Sequence, residues 1–243
     1  MKSIVKTKLL EKIYGENETE VIALDKVDIE FLEGQFTAIM GPSGSGKSTL
    51  LHCLAGLDGP TSGSIYINNI DLSKLNDKQL TKLRRDSFGF VFQAFNLIPT
   101  LTAAENISLP SSIAGNSPEE EWLEKIIQTL DLRDRLNHRP NELSGGQQQR
   151  VAAARALASK PEVIFADEPT GNLDSTSSEE LLTFLKTIVY ELKQTIIMVT
   201  HDPVAASYAD RVIFLRDGSI FNDLSKPSKE DIIKTVSDIS SKG

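Results

Sequence analysis

The chain has 243 residues, 40% of them hydrophobic and 25% charged, which suits one elaborated globular domain or two small ones. Its formal net charge of -8 argues against general nucleic-acid binding, because phosphate backbones attract clustered lysine and arginine. Cys53 is the single cysteine, so no internal disulfide can form, and no apolar run is long enough to span a bilayer. These features favour a cytoplasmic protein.

The first part of the chain favours β structure. Apolar residues within 4–10 predict one strand, and apolar residues alternate with polar ones over 27–31, which predicts a second. Tyr14 lies at the end of the first of these segments. A tyrosine at such a place, taken by itself, is more often a half-exposed strand residue than a binding residue.

A glycine-rich loop follows the apolar run 36–40 and precedes a helix-forming run over 48–57. It fits the phosphate-binding pattern G-x-x-x-x-G-K-[ST] at every required position, in the strand–loop–helix context that the motif needs. Glycines let successive backbone N–H groups converge on one point, and the helix start adds its positive dipole end. Lys47 brings a charge to the outer phosphates, and the Ser48 hydroxyl can ligate Mg²⁺. We therefore predict a nucleotide-phosphate site, with a chance glycine-serine turn as the alternative. Its residues are Gly41, Pro42, Ser43, Gly44, Ser45, Gly46, Lys47, Ser48 and Thr49.

The next elements alternate between strands and helices, with one helical interruption. Further along, the pattern predicts strands over 65–67, 88–92, 163–166 and 195–200, helices over 76–85 and 177–192, and a hairpin over 212–221. Between residues 94 and 159 the chain is mainly helical, with helix starts at Ser117-Pro118 and at Ser144. We expect a nucleotide-binding α/β part over 1–93 and 160–223, a helical insertion over 94–159 and a tail with one short helix over 224–243.

Four polar or flexible residues directly follow apolar strand-like runs: Gly41, Gln93, Asp167 and His201. In an open parallel sheet, the carboxyl ends of the strands form the ligand-binding edge, so we expect these residues to meet. Asp167 is then placed to hold Mg²⁺, and the adjacent Glu168 to orient or deprotonate an attacking water. Gln93 can reach Mg²⁺ and the water, and His201 can hydrogen-bond the γ-phosphate. Each residue alone could instead be a structural cap or loop residue.

A second glycine-containing helix start follows Leu143. Its residues are Ser144, Gly145, Gly146 and Gln147. Taken alone, this segment could be only a capped helix, but chemically it is a further anion site. Because the first loop already encloses one triphosphate, a second chain could bring the two loops together on a shared nucleotide.

The ordered set of motifs from Tyr14 to Asp223 resembles the nucleotide-binding subunit of an ATP-binding-cassette (ABC) transporter. The resemblance implies an α/β P-loop NTPase (RecA-like) core with an N-terminal antiparallel β subdomain and an inserted α-helical subdomain. It also implies ATP and Mg²⁺ as cofactors. The implied site residues are Tyr14 for stacking adenine, Gln93 in the Q-loop, Ser144 to Gln147 in the family signature, Asp167 as the metal-binding acid, Glu168 as the catalytic base, Asp174 in the D-loop and His201 as the switch histidine.

The resemblance further implies a head-to-tail homodimer with two ATP molecules buried between the chains. The signature of one chain would face the γ-phosphate held by Lys47 of the other. The dimer would drive a separate membrane permease docked near Gln93 and residues 95–101, at the inner face of the membrane. Segments 95–99, 105–106 and 168–175 are similar to the bacterial exporters of lipoproteins, macrolides and antimicrobial peptides, and to the cell-division cassette.

Other assignments remain open from the sequence. The chain could serve a solute importer, or a force-transmitting complex without transport. ABC ATPases that act on ribosomes usually carry two cassettes, and those that act on DNA ends carry long coiled-coil insertions; this acidic chain has neither. A P-loop small-molecule kinase would leave residues 143–147 and His201 without a role.

Overall fold

The structure, a computed structural model, describes residues 2–241, apart from the side chains of residues 18 and 240. Its smaller sheet is antiparallel, in the order β2-β1-β5-β6, and β3 also pairs with β1. The strands are β1 Ser3–Tyr14, β2 Val21–Val27, β3 Glu30–Leu32, β5 Ser62–Ile67 and β6 Ile70–Asp71. The predicted strand over 4–10 is thus confirmed as part of β1.

The single strand predicted over 27–31 is wrong, because the chain breaks there into β2 and β3. Thr7 of β1 is the cause. Its buried hydroxyl donates to the Val27 carbonyl at 2.7 Å and accepts from the Ile29 amide at 3.0 Å. The Thr7 side chain therefore takes hydrogen bonds that a paired strand would give to backbone groups, and the strand is interrupted between Val27 and Glu30.

The larger sheet has the order β11-β10-β4-β9-β8-β7. Five strands are parallel and β11 pairs antiparallel with β10, as a hairpin. Strands β4 and β9 are buried along their whole length, as expected where both faces of a parallel sheet are covered. The strands are β4 Phe36–Met40, β7 Phe88–Phe92, β8 Val163–Asp167, β9 Thr195–Val199, β10 Arg211–Arg216 and β11 Ser219–Ser225.

Eight α-helices accompany the sheets within residues 2–241. They are α1 Lys47–Leu54, α2 Asp77–Ser87, α3 Ala103–Ile113, α4 Glu120–Thr129, α5 Gly145–Leu157, α6 Ser175–Leu192, α7 Pro203–Ala206 and α8 Lys229–Ser241. Helices α3 to α5 lie in the chain between β7 and β8, where the helical insertion is predicted. None of the described helices combines the length and hydrophobicity that a membrane span requires.

The start of α4 differs from the prediction. The sequence predicts it at Ser117-Pro118, but the helix begins at Glu120 with Glu119 in the capping position. Glu119 is held by Lys160 at 3.1 Å, and the Trp122 indole donates to the Leu157 carbonyl at 2.9 Å. The Trp122 contact, with the exposed Glu119–Lys160 pair, holds the first turn of α4 against the end of α5, and the shift of the start is of the size common at helix ends.

Two hydrophobic cores lie on the two faces of the larger sheet. Phe36, Ala38 and Met40 of β4 belong to the core that α3 to α6 and α8 cover. Ile39, on the opposite face, belongs to the core shared with α1 and the smaller sheet. The alternation along one strand follows from the period of two in β structure. The larger sheet is therefore the central layer, and its carboxyl edge is left for ligands.

The smaller sheet also contacts the loop after β4 through its backbone. The Asp25 amide of β2 donates to the Gly218 carbonyl at 2.9 Å, and the Gly218 amide donates to the Ser45 carbonyl at 3.2 Å. Gly218 lies in the turn between β10 and β11. One turn thus joins β2 to the glycine-rich loop.

Candidate nucleotide-binding site

The glycine-rich loop connects β4 to α1 and lies against backbone on two sides. Gly41 and Gly46 have positive φ, and a Cβ at either position would lie 2.2 Å from a carbonyl oxygen, that of Leu215 or Ala23 respectively. Only glycine fits these two places. No described side chain caps the first turn of α1, which begins at Lys47. The N–H groups of that turn are therefore available to an anion.

Lys47 reaches back across this loop. Its ammonium donates to the Pro42 carbonyl at 2.7 Å, and only 8% of the residue is exposed. Burial lowers the pKa of Lys47, while the carboxylates of Glu168 and Asp167 oppose that shift. A cation with one carbonyl partner and two nearby acids is well placed to receive phosphate oxygens.

Asp167 ends β8 beside the first turn of α1. The Ser48 hydroxyl donates to its Oδ1 at 3.4 Å, and the His52 Nε2 lies 3.6 Å from its Oδ2. Burial raises the pKa of Asp167, with a smaller contribution in the same direction from Glu168 and an opposing one from His52. The carboxylate is thus held where its negative charge is poorly solvated, beside a hydroxyl oxygen. Both are the hard oxygen donors that Mg²⁺ prefers.

His52 is a neighbour of the site that the sequence interpretation missed. It follows Ser48 by four residues in α1, and residues at this spacing share one face of a helix. The same spacing could have drawn attention to it, because Ser48 was already expected at the metal.

Glu168 and His201 form a second pair at the same edge. The His201 Nδ1 lies 3.1 Å from the Glu168 Oε1, and the Glu168 amide donates to the carbonyl of Val199 at 3.0 Å. Glu168 has φ of 45°, in the left-handed region that non-glycine residues rarely occupy. Such backbone strain is typical of functional sites. Here it occurs at the residue next to Asp167, and Glu168 pairs with His201 while Asp167 faces α1.

Gln93, after β7, contacts the loop that follows Glu168. Its amide nitrogen donates to Asn172 Oδ1 at 3.1 Å, and the Asn172 amide returns a bond to the Gln93 carbonyl at 3.1 Å. The structure thus brings Ser48 to Asp167, Glu168 to His201, and Gln93 to the loop after Glu168. All of these contacts lie at the carboxyl edge of the larger sheet.

The predicted signature residues are arranged differently. Ser144 caps α5: its Oγ accepts from the Gln147 amide at 3.3 Å, and the Gln147 Oε1 accepts from the Ser144 amide at 2.9 Å. A Cβ added to Gly145 would meet only Leu173 and Phe95, at 3.7 and 3.9 Å. Within residues 2–241, no hydrogen bond or ion pair joins residues 144–147 to the glycine-rich loop. Within one chain, the two predicted anion sites therefore remain separate.

Asp174 and Tyr14 complete the predicted set. Asp174 caps α6, accepting from the Ser177 amide and hydroxyl, both at 2.9 Å, and these bonds lower the pKa of Asp174. Tyr14, 42% exposed at the end of β1, donates its hydroxyl to Asp58 Oδ2 at 2.6 Å. Among the predicted site residues, Tyr14 is the one that belongs to the smaller sheet.

Known proteins share this architecture. Residues 24–171 match the ABC transporter family. A dimeric structure of an ATP-binding cassette of Methanocaldococcus jannaschii, in a post-hydrolysis state bound to ADP and Pi, superposes with a TM-score of 0.80 at 44% identity. It covers 93% of this chain and 100% of that one.

The chain belongs to the ABC transporter family.

Two export proteins are among the relatives of this ABC cassette. The bacitracin export ATP-binding protein BceA of Halalkalibacterium halodurans is 43% identical over 241 residues, which cover 96% of this chain and 95% of BceA. The macrolide export ATP-binding/permease protein MacB of Marinobacter nauticus is 49% identical over 212 residues, covering 86% of this chain but 33% of MacB. The predicted fold and ATPase family are thereby confirmed, as is the resemblance to the macrolide and peptide exporter group.

Proposed function

We propose that this ABC cassette binds and hydrolyses ATP as a head-to-tail homodimer and drives a separate membrane permease of the exporter type. One observation carries the proposal: Lys47, Ser48, Asp167, Glu168 and His201 converge at the carboxyl edge of one parallel sheet. In-line attack on a γ-phosphate needs positioning and charge neutralisation, and this set can supply both. The core is assigned to residues 1–93 and 160–223, the helical part to 94–159 and the tail to 224–243.

Within this proposal each side chain has a defined task. The N–H groups of residues 41–49 and the Lys47 ammonium bind the β- and γ-phosphates. Glu168 accepts the proton of the attacking water, and His201, 3.1 Å away, orients Glu168 and donates to the γ-phosphate. Gln93 and Asn172 connect this water site to the segment leading into the helical part.

Ser48 and Asp167 fit a magnesium ion. Their oxygens lie 3.4 Å apart, and the half-buried Asp167 carboxylate forms no ion pair within the described residues other than its contact with His52 at 3.6 Å. No cluster of three His, Cys, Asp or Glu side chains is placed to hold a metal within residues 2–241. This agrees with Mg²⁺ chemistry, because the ion usually keeps waters and takes ligands from the substrate phosphates. When bound, it neutralises charge on those phosphates.

The dimer follows from the separation of the two anion sites. Ser144, Gly145 and Gln147 are accessible and contact only their own helix start and the adjacent loops. A partner related by two-fold symmetry would place this helix start over the γ-phosphate held by Lys47. The dimeric relative bound to ADP and Pi supports this arrangement.

A groove beside the helical part is the proposed seat of the permease. Leu57, Phe90, Phe92 and Ile113 line it, and Ile113 is 76% exposed. Arg155 lies at the same groove and donates to the carbonyls of Phe95 and Asn96, the residues that follow the Gln93 loop. A permease segment bound here would hold the cassette at the inner face of the membrane. Movements of Gln93 would reach this segment through residues 95 and 96.

Co-purification tests the permease assignment. The tagged chain should bring down an exporter-type membrane protein from detergent-solubilised membranes, and the recovered complex should hydrolyse ATP. Ile113→Asp should abolish the association and leave nucleotide binding unchanged, because residue 113 is the exposed last residue of α3 and takes part in none of the contacts at the phosphate loop. Ile233→Asp, the same substitution at an exposed isoleucine of α8 (49%), is the matched control and should have no effect. Recovery of a solute permease instead would contradict the exporter assignment.

A further inference from the structure

Two charged residues hold Tyr14 in place. Lys12 and Tyr14 are two residues apart in β1, so they share a face of the strand. The Lys12 ammonium donates to Asp58 Oδ1 and to the Gly59 carbonyl, both at 2.7 Å. The Tyr14 hydroxyl donates to the other carboxylate oxygen of Asp58 at 2.6 Å. Asp58 therefore bridges the cation and the phenol.

The cation also covers one face of the ring. The Lys12 ammonium lies 4.8 Å from the centroid of the Tyr14 ring, within the range of a cation–π contact. The side chain of Lys12 is only 13% exposed, whereas Tyr14 keeps 42% of its surface accessible. One ring face is thus occupied by a held charge, and ring surface remains free for a planar ligand.

The hydroxyl end of Tyr14 lies beside the phosphate loop. Burial and Asp58 raise the pKa of Tyr14, and the nearby Thr49 side chain, in the first turn of α1 directly after Ser48, opposes that shift. Although burial favours the neutral acid, the bonds from Lys12 and Tyr14 lower the pKa of Asp58, which therefore stays ionised at neutral pH. Lys12, Asp58 and Tyr14 thus form a chain of contacts that begins in the smaller sheet and ends beside Thr49.

We infer that Lys12 and Asp58 are positioning residues that fix the Tyr14 ring at a set distance from the phosphate loop, for stacking of the nucleotide base. The inference rests on the proposed role of Tyr14 as the adenine platform. A ring that is already ordered loses less conformational freedom when the base binds, and this favours affinity for the base without changing phosphate binding.

The test separates base binding from phosphate binding by comparing ATP with inorganic tripolyphosphate, which has no base. Both are titrated calorimetrically, with Mg²⁺, into the wild type, Asp58→Asn, Lys12→Met and Tyr14→Phe. Asp58→Asn should weaken ATP about fivefold, the loss expected for one ordinary hydrogen bond, and leave tripolyphosphate within about twofold of wild type. Lys12→Met should act in the same direction, because it frees Asp58 and uncovers the ring. Tyr14→Phe, which keeps the ring but loses the hydroxyl, should show a smaller loss.

The matched control is Lys6→Met. Lys6 lies on the same strand and pairs with Glu30 of β3, away from Tyr14, so it should change neither ligand. Tyr14→Ala separates the two levels of the proposal. If Tyr14→Ala binds ATP like the wild type, the adenine platform itself is wrong. If Tyr14→Ala weakens ATP but Asp58→Asn and Lys12→Met do not, only the positioning role is overturned. Equal weakening of ATP and tripolyphosphate by Asp58→Asn would also overturn it, because the effect would then be on the fold of the loop.

Discussion

The carboxyl edge of the larger sheet and the start of α5 are both anion sites in the sequence, yet they are built differently. At the sheet edge, side chains from four separate stretches of the chain contact one another: Ser48 meets Asp167, Glu168 meets His201, and Gln93 meets Asn172. At the start of α5, the Ser144 and Gln147 side chains each hydrogen-bond the other residue's backbone amide. The first site is assembled by the fold, whereas the second is an exposed helix end that needs an outside ligand. Four changes would break or sharpen this contrast.

The largest effect is expected from removing the proposed base. Glu168→Gln keeps the size of the side chain but cannot take a proton, so the rate of phosphate release should fall by about 10²–10⁴-fold. ATP should still bind, and ATP-dependent dimers should become detectable by gel filtration. Glu191→Gln, an exposed position at the far end of α6, is the control. Retained turnover would remove Glu168 from the role of base.

The next effect concerns the cation of the loop. Lys47→Ala removes a charge-assisted contact to the outer phosphates, and ATP affinity should fall about 10- to 100-fold. Isothermal titration measures this directly. An unchanged affinity would mean that the backbone N–H groups of the loop bind the triphosphate without help from Lys47.

A third change acts on the exposed helix start alone. Gly145 has room for a side chain, since its added Cβ would meet nothing nearer than 3.7 Å. In a Glu168→Gln background, Gly145→Asp should abolish the ATP-dependent dimer through repulsion of the partner's γ-phosphate, whereas ATP should bind the monomer within about twofold of the parent protein. An acid in the first turn also favours the helix, so the fold should persist. A stable dimer carrying Gly145→Asp would show that residues 144–147 do not face the nucleotide.

The smallest effect is on stability. Because burial raises the pKa of Asp167, its contribution to the free energy of unfolding is fully present below its unfolded pKa of 3.8 and is lost as pH rises through the folded pKa. At pH 7 without Mg²⁺, Asp167→Asn should therefore stabilise the protein by on the order of 1 kcal/mol, or about 2–4 °C in Tm.

The control for this variant is its own pH dependence. The difference in Tm between Asp167→Asn and wild type should shrink as the pH is lowered from 7 towards 4. A lower Tm for Asp167→Asn at pH 7 would mean that contacts of the carboxylate with Ser48 and His52 outweigh its burial.

The sequence predicted the parallel strands well because each combines a continuous apolar run with a polar residue at its end. It failed where a tertiary contact decides the local structure. The Thr7 hydroxyl interrupts the strand pairing at the break between β2 and β3, and the Trp122 indole holds the first turn of α4 against the end of α5.

The site shows the same division. Asp167, Glu168 and His201 were expected to meet because strand ends meet. His52, which contacts Asp167, and both members of the Lys12–Asp58 pair carry no motif. Such pairs follow from the packing of α1 and β1 against their neighbours, and short-range pattern does not contain that information. The limits of the helical part and the roles of the site residues stay predictions.

The backbone contacts among the segments that contain Ala23, Ser45 and Gly218 have a consequence for chimeras made between such cassettes. The carbonyl of Ala23 would lie 2.2 Å from any Cβ at residue 46, and Gly218 forms backbone hydrogen bonds with both Asp25 and Ser45. The three segments are therefore packed too closely to tolerate a change in the backbone of one of them alone. A chimera that takes β2 from one parent and the β10–β11 turn from another would combine segments that do not match where they contact the glycine-rich loop. Crossovers placed within α3 to α5 leave these backbone contacts unchanged. We therefore expect chimeras that exchange the helical part to fold far better than chimeras that exchange the smaller sheet.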